Sequence, residues 1–158
     1  MEIKLKGIVA EDFCQYKKAC MFIIFPYCTF KCDKEYGKPV CQNSDLANMS
    51  CIVLPTEYIV NKYLSNDITH SIVFGGLEPF DSTEMIDLIS AFREKTEDDI
   101  VIYTGYNKEE ISDQLEQLKQ FPNIIVKFGR YKPDQEGHID SVLGIRLANK
   151  EQYAERLS

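Results

Sequence analysis

The stretch of residues 20–43, CMFIIFPYCTFKCDKEYGKPVCQN, is the starting point for interpreting this chain. It opens with an apolar run at 21–25, which is typical of a buried strand, and the run ends at Pro26. The residues that follow are mostly polar and include glycine and proline, which predicts a loop. Three cysteines lie in this loop, namely Cys28, Cys32 and Cys41. The sequence therefore predicts three thiols at the carboxyl end of a strand, where open α/β sheets bind ligands.

Three thiols so close together indicate a metal site, because thiolates are soft ligands that suit iron–sulfur clusters, zinc and copper. An iron–sulfur cubane held by only three cysteines keeps one iron open to another ligand. A structural zinc site is the main alternative, since C-x3-C lies within zinc spacing and Cys51 is available as a fourth ligand. A disulfide is the third possibility. The remaining thiols, those of Cys14, Cys20 and Cys51, are interpreted as buried or partly buried side chains.

Length and composition predict one ordinary globular domain over residues 1–158, with 44% hydrophobic and 27% charged residues. A net charge of −7 argues against nucleic-acid binding. The N-terminal residues lack the apolar core of a signal peptide, and no apolar run approaches the ~20 residues that span a bilayer. We therefore expect a cytoplasmic protein without membrane contact. In that compartment cysteines are more often metal ligands or free thiols than disulfides.

Hydrophobic periodicity predicts strands that alternate with helices along the chain. The predicted strands are at 1–7, 20–25, 70–74, 100–103 and 124–128, with a further strand or extended piece at 139–147. The predicted helices begin with caps at Thr56, Asp81 and Asn107, and a terminal helix is predicted at 149–157. Residues 8–18 show no clear pattern. This alternation predicts an α/β fold with right-handed crossovers and a mostly parallel sheet, in which the cysteine loop (26–43) and the later loops share one edge.

The loop GGLEP, residues 75–79, is the second unusual stretch, because two glycines after a strand let the backbone approach a ligand closely. A simple turn that requires positive φ is the alternative explanation. Together with the cysteines, this loop resembles the radical S-adenosylmethionine (radical SAM) enzymes, whose signature is C-x3-C-x2-C. Cys28-Thr29-Phe30-Lys31-Cys32 matches the first half, whereas eight residues precede Cys41 where the family has two. The family's GGEP-like motif, which binds the methionyl amino group, implies cofactor-binding roles for Gly75, Gly76 and Glu78.

Later segments resemble the anaerobic ribonucleotide reductase activating proteins, which are small radical SAM proteins with an incomplete (βα) barrel. These segments are IVIYTGY at 100–106, IIVKFGRY at 124–131 and, loosely, LANKEQ at 147–152. The resemblance covers roughly residues 20–153. It implies cofactor-binding roles at the functional edge for Thr104, Lys127 and Arg130 as well. For the two cations, carboxylate binding is the functional interpretation and simple surface charge is the alternative.

The resemblance implies that Cys28, Cys32 and Cys41 hold a [4Fe-4S] cluster that reductively cleaves S-adenosylmethionine to a 5′-deoxyadenosyl radical. The implied partners are a glycyl-radical enzyme, such as the anaerobic ribonucleotide reductase large subunit, and an electron donor such as flavodoxin or ferredoxin. No side chain is assigned a catalytic role beyond cofactor binding. The inserted residues 33–40 are predicted to form part of the partner-docking rim. Two alternatives remain open: a radical SAM enzyme for a small molecule or peptide, and a non-catalytic zinc or iron–sulfur module.

Overall fold

The computed structural model describes residues 1–27 and 49–158. In these residues ten strands, three α-helices and two short 3-10 turns follow one another. The strands are β1 (Glu2–Leu5), β2 (Gly7–Asp12), β3 (Cys20–Phe25), β4 (Ile52–Pro55), β5 (Ser71–Gly76), β6 (Asp99–Tyr103), β7 (Ile124–Phe128), β8 (His138–Ile139), β9 (Arg146–Leu147) and β10 (Tyr153–Arg156). The helices are α1 (Thr56–Leu64), α2 (Met85–Arg93) and α3 (Ser112–Leu118), and the 3-10 turns are Pro79–Asp81 and Lys108–Ile111.

A six-stranded sheet with the order β10-β7-β6-β5-β3-β2 forms the centre of the molecule. Its four inner strands, β3, β5, β6 and β7, are parallel and lie side by side in chain order. The outer strands β2 and β10 pair antiparallel with their neighbours. The prediction of an α/β fold with a mostly parallel sheet is therefore confirmed. Because the parallel strands run in chain order, their carboxyl ends form one continuous edge, and the predicted loops follow these ends.

The three helices cover one face of this sheet. Their apolar residues recur at helical spacing and so form one apolar side on each helix, which packs against the sheet. In α2 the buried residues Met85, Leu88, Ile89 and Phe92 follow the i, i+3, i+4, i+7 spacing of a helix with one apolar face. They belong to a core that also contains alternate residues of the strands, such as Ile72 and Phe74 of β5. Full burial of a side chain of this size stabilises the fold by about 1.5–3 kcal/mol.

The other face of the sheet is covered by irregular segments rather than by helices. Val73, Val101 and Ile125 project from the inner strands on this side, in register with one another. Tyr16 and Leu143 pack over them from the segments that follow β2 and β8. This second core fills the part of the face near the amino ends of the strands. The part near the carboxyl ends carries polar residues, and these form the candidate site.

The terminal helix predicted at 149–157 is wrong. The residues instead form β10, which pairs antiparallel with β7 from Tyr153↔Phe128 to Arg156↔Ile125. The segment reads as a helix locally, but β7 offers a row of backbone groups that a strand satisfies, and such tertiary pairing outweighs intrinsic propensity. The predicted piece at 139–147 is likewise not one strand, since only β8 and β9 at its ends are extended, and they pair with each other.

Two of the three predicted helix caps are also wrong. Thr56 is the first residue of α1 rather than its cap, and α1 begins after Pro55 without a side-chain cap. Asp81 ends a 3-10 turn, and α2 begins after Glu84, whose carboxylate accepts a hydrogen bond from the Lys4 backbone instead. The third cap is confirmed, because Asn107 and Glu110 form a reciprocal capping box.

Two strands near the N-terminal part of the chain were not predicted: β2, in the stretch that showed no clear pattern, and β4, which pairs with β1. None of the helices in residues 1–27 and 49–158 is long and apolar enough to cross a membrane.

Candidate functional site

The loop after β5 lies at the centre of the carboxyl edge, and it begins with a backbone conformation that favours glycine. Gly76 has a φ of +80°, in the left-handed region, and a Cβ there would lie 2.4 Å from Cγ2 of Ile24 in β3. Both observations require a residue without a side chain. The glycine therefore lets the loop turn while it stays in close contact with the neighbouring strand.

This loop is bonded directly to the residues that precede the cysteine loop. The Leu77 backbone N–H donates to the carbonyl of Phe25 at 3.2 Å, and the Glu78 backbone N–H donates to the carbonyl of Tyr27. Tyr27 is the residue before Cys28 in the sequence. The glycine loop and the start of the cysteine loop are therefore adjacent, although Cys28 itself lies outside the described residues.

Glu78 links this loop to the next one along the sheet. Its Oε1 accepts hydrogen bonds from the Thr104 hydroxyl at 2.9 Å and from the Gly105 backbone N–H at 2.8 Å. Its Oε2 accepts one from the Phe80 backbone N–H at 3.2 Å. The side chain is almost fully buried, and this burial raises the pKa of the Glu78 carboxyl to about 7 although the hydrogen bonds oppose the shift. This carboxyl therefore holds its proton to a higher pH than an exposed glutamate does.

Thr104 extends the connection to the loops after β6 and β7. Its hydroxyl oxygen accepts from the Tyr106 backbone N–H at 2.9 Å, and its own backbone N–H donates to the carbonyl of Lys127 at 2.9 Å. The Gly129 backbone N–H in turn donates to the carbonyl of Tyr106 at 3.1 Å. Side-chain and backbone hydrogen bonds therefore hold the loops after β5, β6 and β7 in one arrangement, which fixes the geometry of the edge.

Tyr103 and Lys127 stand in register on the face of the sheet that the helices leave free. The Lys127 ammonium lies 5.7 Å from the centroid of the Tyr103 ring and donates to the carbonyl of Gly129 at 3.1 Å. Such a placement over an aromatic face stabilises a partly desolvated cation. The Tyr103 hydroxyl donates to the carbonyl of Gln15, and burial raises the pKa of this phenol. The tyrosine is therefore neutral and fixed.

A cavity of about 640 Å³ opens above these residues. Its volume is within the range of cofactor and small-ligand sites. Among the residues predicted to bind the cofactor, four line it, namely Gly76, Glu78, Thr104 and Lys127. The remaining described part of the lining includes Cys14, Gln15, Phe22, Leu77, Tyr103, Gly105, Gly129, Tyr131, Gln135, Gly137, Ile145, Arg146, Leu147, Ala148 and Gln152.

Two residues proposed for the cofactor from the sequence, Gly75 and Arg130, are not among the described residues that line the cavity. A Cβ on Gly75 would lie 2.7 Å from the ring of Phe22, so this glycine makes room for that ring. The guanidinium of Arg130 forms two hydrogen bonds of 2.8 Å with the carboxylate of Glu110. The structure thus places Gly75 against an apolar neighbour and Arg130 in a bidentate ion pair.

Sequence reasoning missed the wall that the C-terminal part of the chain contributes. Arg146, Leu147 and Gln152 come from segments predicted as an extended piece and a helix, so their place beside the strand ends could not be anticipated. Tyr103 and Phe22 were assigned to strands, but not to the site. Alternation along β6 was the available signal, because it places Tyr103 on the same face of the sheet as Val101, two residues earlier.

The candidate metal ligands Cys28, Cys32 and Cys41, and the proposed docking rim at 33–40, lie outside the described residues. Within the described ranges no group of three or more His, Cys, Asp or Glu residues is arranged to hold a metal. The thiol of Cys20 is buried in the second core, and burial raises its pKa to about 12, so it is a neutral apolar side chain. Cys51 is partly exposed. Cys14 is exposed and lines the cavity, which corrects the prediction that it is buried or partly buried.

These features define a mixed α/β domain with a ligand-sized cavity at the carboxyl edge of its parallel strands. Residues 18–146 match the model of a protein family described as the 4Fe-4S single cluster domain. The match covers most of the chain, and the protein therefore belongs to this family, which is associated with radical SAM proteins. No curated protein and no solved structure matches the chain. A 4Fe-4S cluster domain is thus present, and the prediction of an iron–sulfur protein is confirmed.

The described residues also offer groups that could bind a small ligand beside the start of the cysteine loop. A loop with a glycine at positive φ, a buried carboxyl and a buried ammonium line a cavity next to the residue that precedes Cys28. Hydrogen-bonding and charged groups of this kind suit a small polar ligand, and Phe22 and Tyr103 add apolar surface.

Proposed function

We propose that this protein is a radical SAM enzyme in which Cys28, Cys32 and Cys41 ligate the [4Fe-4S] cluster and S-adenosylmethionine occupies the 640 Å³ cavity. The observation that carries the proposal is the position of this cavity. It lies where Gly76, Glu78, Thr104 and Lys127 meet, beside the bonded pair Tyr27–Glu78 that leads into the cysteine loop. When bound, the reduced cluster would supply the one electron that reductive cleavage of S-adenosylmethionine requires.

The fold supports this proposal. Four parallel strands in chain order, with all three described helices on one face, are compatible with an incomplete (βα) barrel. The side without helices would then be the barrel interior, where the cavity is found. On this interpretation residues 1–158 form one radical-SAM-like domain, and the segments around Tyr16 and Leu143 close the lower part of the interior.

The chain's own residues have distinct tasks in this site. The backbone at Gly76 approaches the ligand, because no side chain stands between them. The buried ammonium of Lys127 donates to the carbonyl of Gly129 and adds positive charge to the wall of the site. Glu78 keeps Thr104 and Gly105 in place, and its remaining lone pairs are available to an ammonium group of the ligand. In this scheme Gly75 makes room for the ring of Phe22 and Arg130 pairs with Glu110, and neither is among the described residues that line the cavity.

The proposed substrate is a glycine on a partner glycyl-radical enzyme, such as the anaerobic ribonucleotide reductase large subunit, with flavodoxin or ferredoxin as electron donor. The size of the cavity supports this choice, since its volume suits one cofactor-sized molecule, so that the substrate approaches from outside. A loop of a folded partner meets that requirement.

Anaerobic reconstitution followed by iron analysis and product assay tests the proposal. We expect about four irons per chain, and 5′-deoxyadenosine formed from S-adenosylmethionine in the presence of a strong reductant. Cys28→Ala, Cys32→Ala and Cys41→Ala should each abolish both signals, and Cys51→Ala is the matched control that should retain them. Stoichiometric zinc in place of iron, lost equally in Cys51→Ala, would overturn the proposal in favour of a structural zinc module.

A further inference from the structure

The charged groups of the cavity differ in sign from the chain as a whole. The net charge of the chain is −7, yet the charged side chains in the described part of the lining are Glu78, Lys127 and Arg146. The carboxylate of Glu78 is occupied by three hydrogen bonds from the chain. With two cations and one carboxyl, the described part of the lining carries an excess of positive charge, which suits a ligand with an anionic group.

Arg146 differs from the other arginines of the protein. Arg93 and Arg156 bind backbone or side-chain oxygens, and Arg130 pairs with Glu110. Arg146, in β9, makes no side-chain hydrogen bond or ion pair with any residue in the described part of the chain. An arginine that lines a cavity without such a partner retains all five of its N–H donors for a ligand.

The neighbouring backbone explains how the guanidinium is kept beside the cavity. Gly137 also lines the cavity, and a Cβ at this position would lie 3.1 Å from Nε of Arg146 and 2.6 Å from the carbonyl oxygen of Leu147. The absence of a side chain at 137 thus allows the arginine to lie along the backbone that precedes β8. Lys127 is buried at the strand ends whereas Arg146 is exposed, so the two cations stand at different depths.

We propose that Arg146 binds the methionyl carboxylate of S-adenosylmethionine at the mouth of the cavity, an inference that rests on the function proposed above. A guanidinium presents two parallel N–H donors that match the two oxygens of a carboxylate. The methionyl end carries such a carboxylate, whereas the adenosyl end does not. Arg146 thereby orients the methionyl end from the wall that the C-terminal segments form, whereas the glycine loop follows β5.

Calorimetric titration of the reconstituted, anaerobic protein with two probes tests this role. S-adenosylhomocysteine carries the carboxylate, and 5′-methylthioadenosine lacks it. Arg146→Gln should weaken S-adenosylhomocysteine binding by about 10- to 100-fold, as expected for charge-assisted hydrogen bonds, and leave 5′-methylthioadenosine binding unchanged. Arg146→Lys should show an intermediate loss, because a lysine keeps the charge without the paired donors. Lys150→Gln removes an exposed positive charge outside the cavity lining and is the matched control.

Each other outcome overturns the assignment in a recognisable way. Unchanged binding of both probes by Arg146→Gln would show that the carboxylate is bound elsewhere. Equal weakening of both probes, with a normal circular dichroism spectrum, would show that Arg146 only shapes the wall. If the wild-type protein binds neither probe, the proposed function itself fails, and the role proposed for Arg146 fails with it. In the first two outcomes the wild-type protein still binds, so the two failures are distinguishable.

Discussion

Glu78 shows how one residue connects the loops of the carboxyl edge. Its sequence context indicates contact with a cofactor, and in the structure its carboxyl also accepts from Thr104, Gly105 and Phe80. Removal of a buried acceptor leaves donors without partners, which costs more than the hydrogen bond itself contributes. The residue is therefore as important for the shape of the site as for its charge.

Glu78→Gln should change how stability depends on pH. The pKa of this carboxyl is raised from 4.5 to about 7, so the folded state binds the proton more tightly than the unfolded state. Its contribution is fully present below pH 4.5 and is lost as the pH rises through 7, a change of about 3 kcal/mol. Urea unfolding at pH 5 and pH 8 should show that the free energy of unfolding falls more between these two pH values in the wild type than in the variant. Parallel pH profiles of the two proteins would contradict the assignment.

Gly76→Ala should destabilise the protein and weaken cofactor binding. Left-handed φ costs a non-glycine residue about 1–2 kcal/mol, and the new Cβ would also collide with Ile24. Gly7→Ala is the control, because its Cβ would lie 3.9 Å from the same isoleucine without a left-handed φ. We expect a lower urea midpoint and weaker S-adenosylmethionine affinity for Gly76→Ala alone, at unchanged iron content. Equal affinity in both variants, measured by calorimetry, would remove the loop from the site.

At the scale of elements, the C-terminal segments form the wall that completes the cavity. The β8–β9 hairpin and β10 are short, and they are held together by the buried carboxylate of Asp140. Its oxygens accept from the backbone N–H groups of Val142, Leu143 and Ala154 at 2.9–3.1 Å. One side chain thus joins the turn between β8 and β9 to the last strand of the sheet.

Asp140→Ala should therefore destabilise the chain by about 3 kcal/mol, because three N–H groups lose their acceptor and two of them belong to buried residues. Thermal unfolding followed by circular dichroism measures this loss. Asp67→Ala, at an exposed aspartate, provides the control and should change the free energy of unfolding by no more than about 0.5 kcal/mol. Similar melting temperatures for the two variants would show that the carboxylate does not hold these elements together.

At the scale of the whole molecule, the cysteine loop (26–43) belongs to the connection between two neighbouring strands of one sheet. It leaves the end of β3, and the chain returns through β4 and α1 to β5, which pairs with β3. A cluster bound in this loop would be connected to the centre of the sheet through the bonds of Leu77 and Glu78. Binding at such a position couples to the stability of the entire fold.

Cluster loading should accordingly raise the melting temperature of the protein, since a ligand that binds only the folded state stabilises it by mass action. Anaerobic calorimetry of the apo and reconstituted forms measures this shift. The shift should vanish in Cys32→Ala and persist in Cys51→Ala. The same shift in both variants would mean that the metal is bound by other residues.

The sequence by itself determined the strands β3, β5, β6 and β7 and the mostly parallel sheet, because buried apolar runs that alternate with helical patterns can be recognised locally. The resemblance to radical SAM enzymes also singled out Gly76, Glu78, Thr104 and Lys127, which all line the cavity. Only the tertiary structure decided that 153–156 is a strand, because the unpaired edge of β7 outweighs local helix propensity. Only the tertiary structure shows that Arg146 lines the cavity and that Arg130 pairs with Glu110. Both contacts join parts of the chain that are distant in sequence, so they leave no periodic signal.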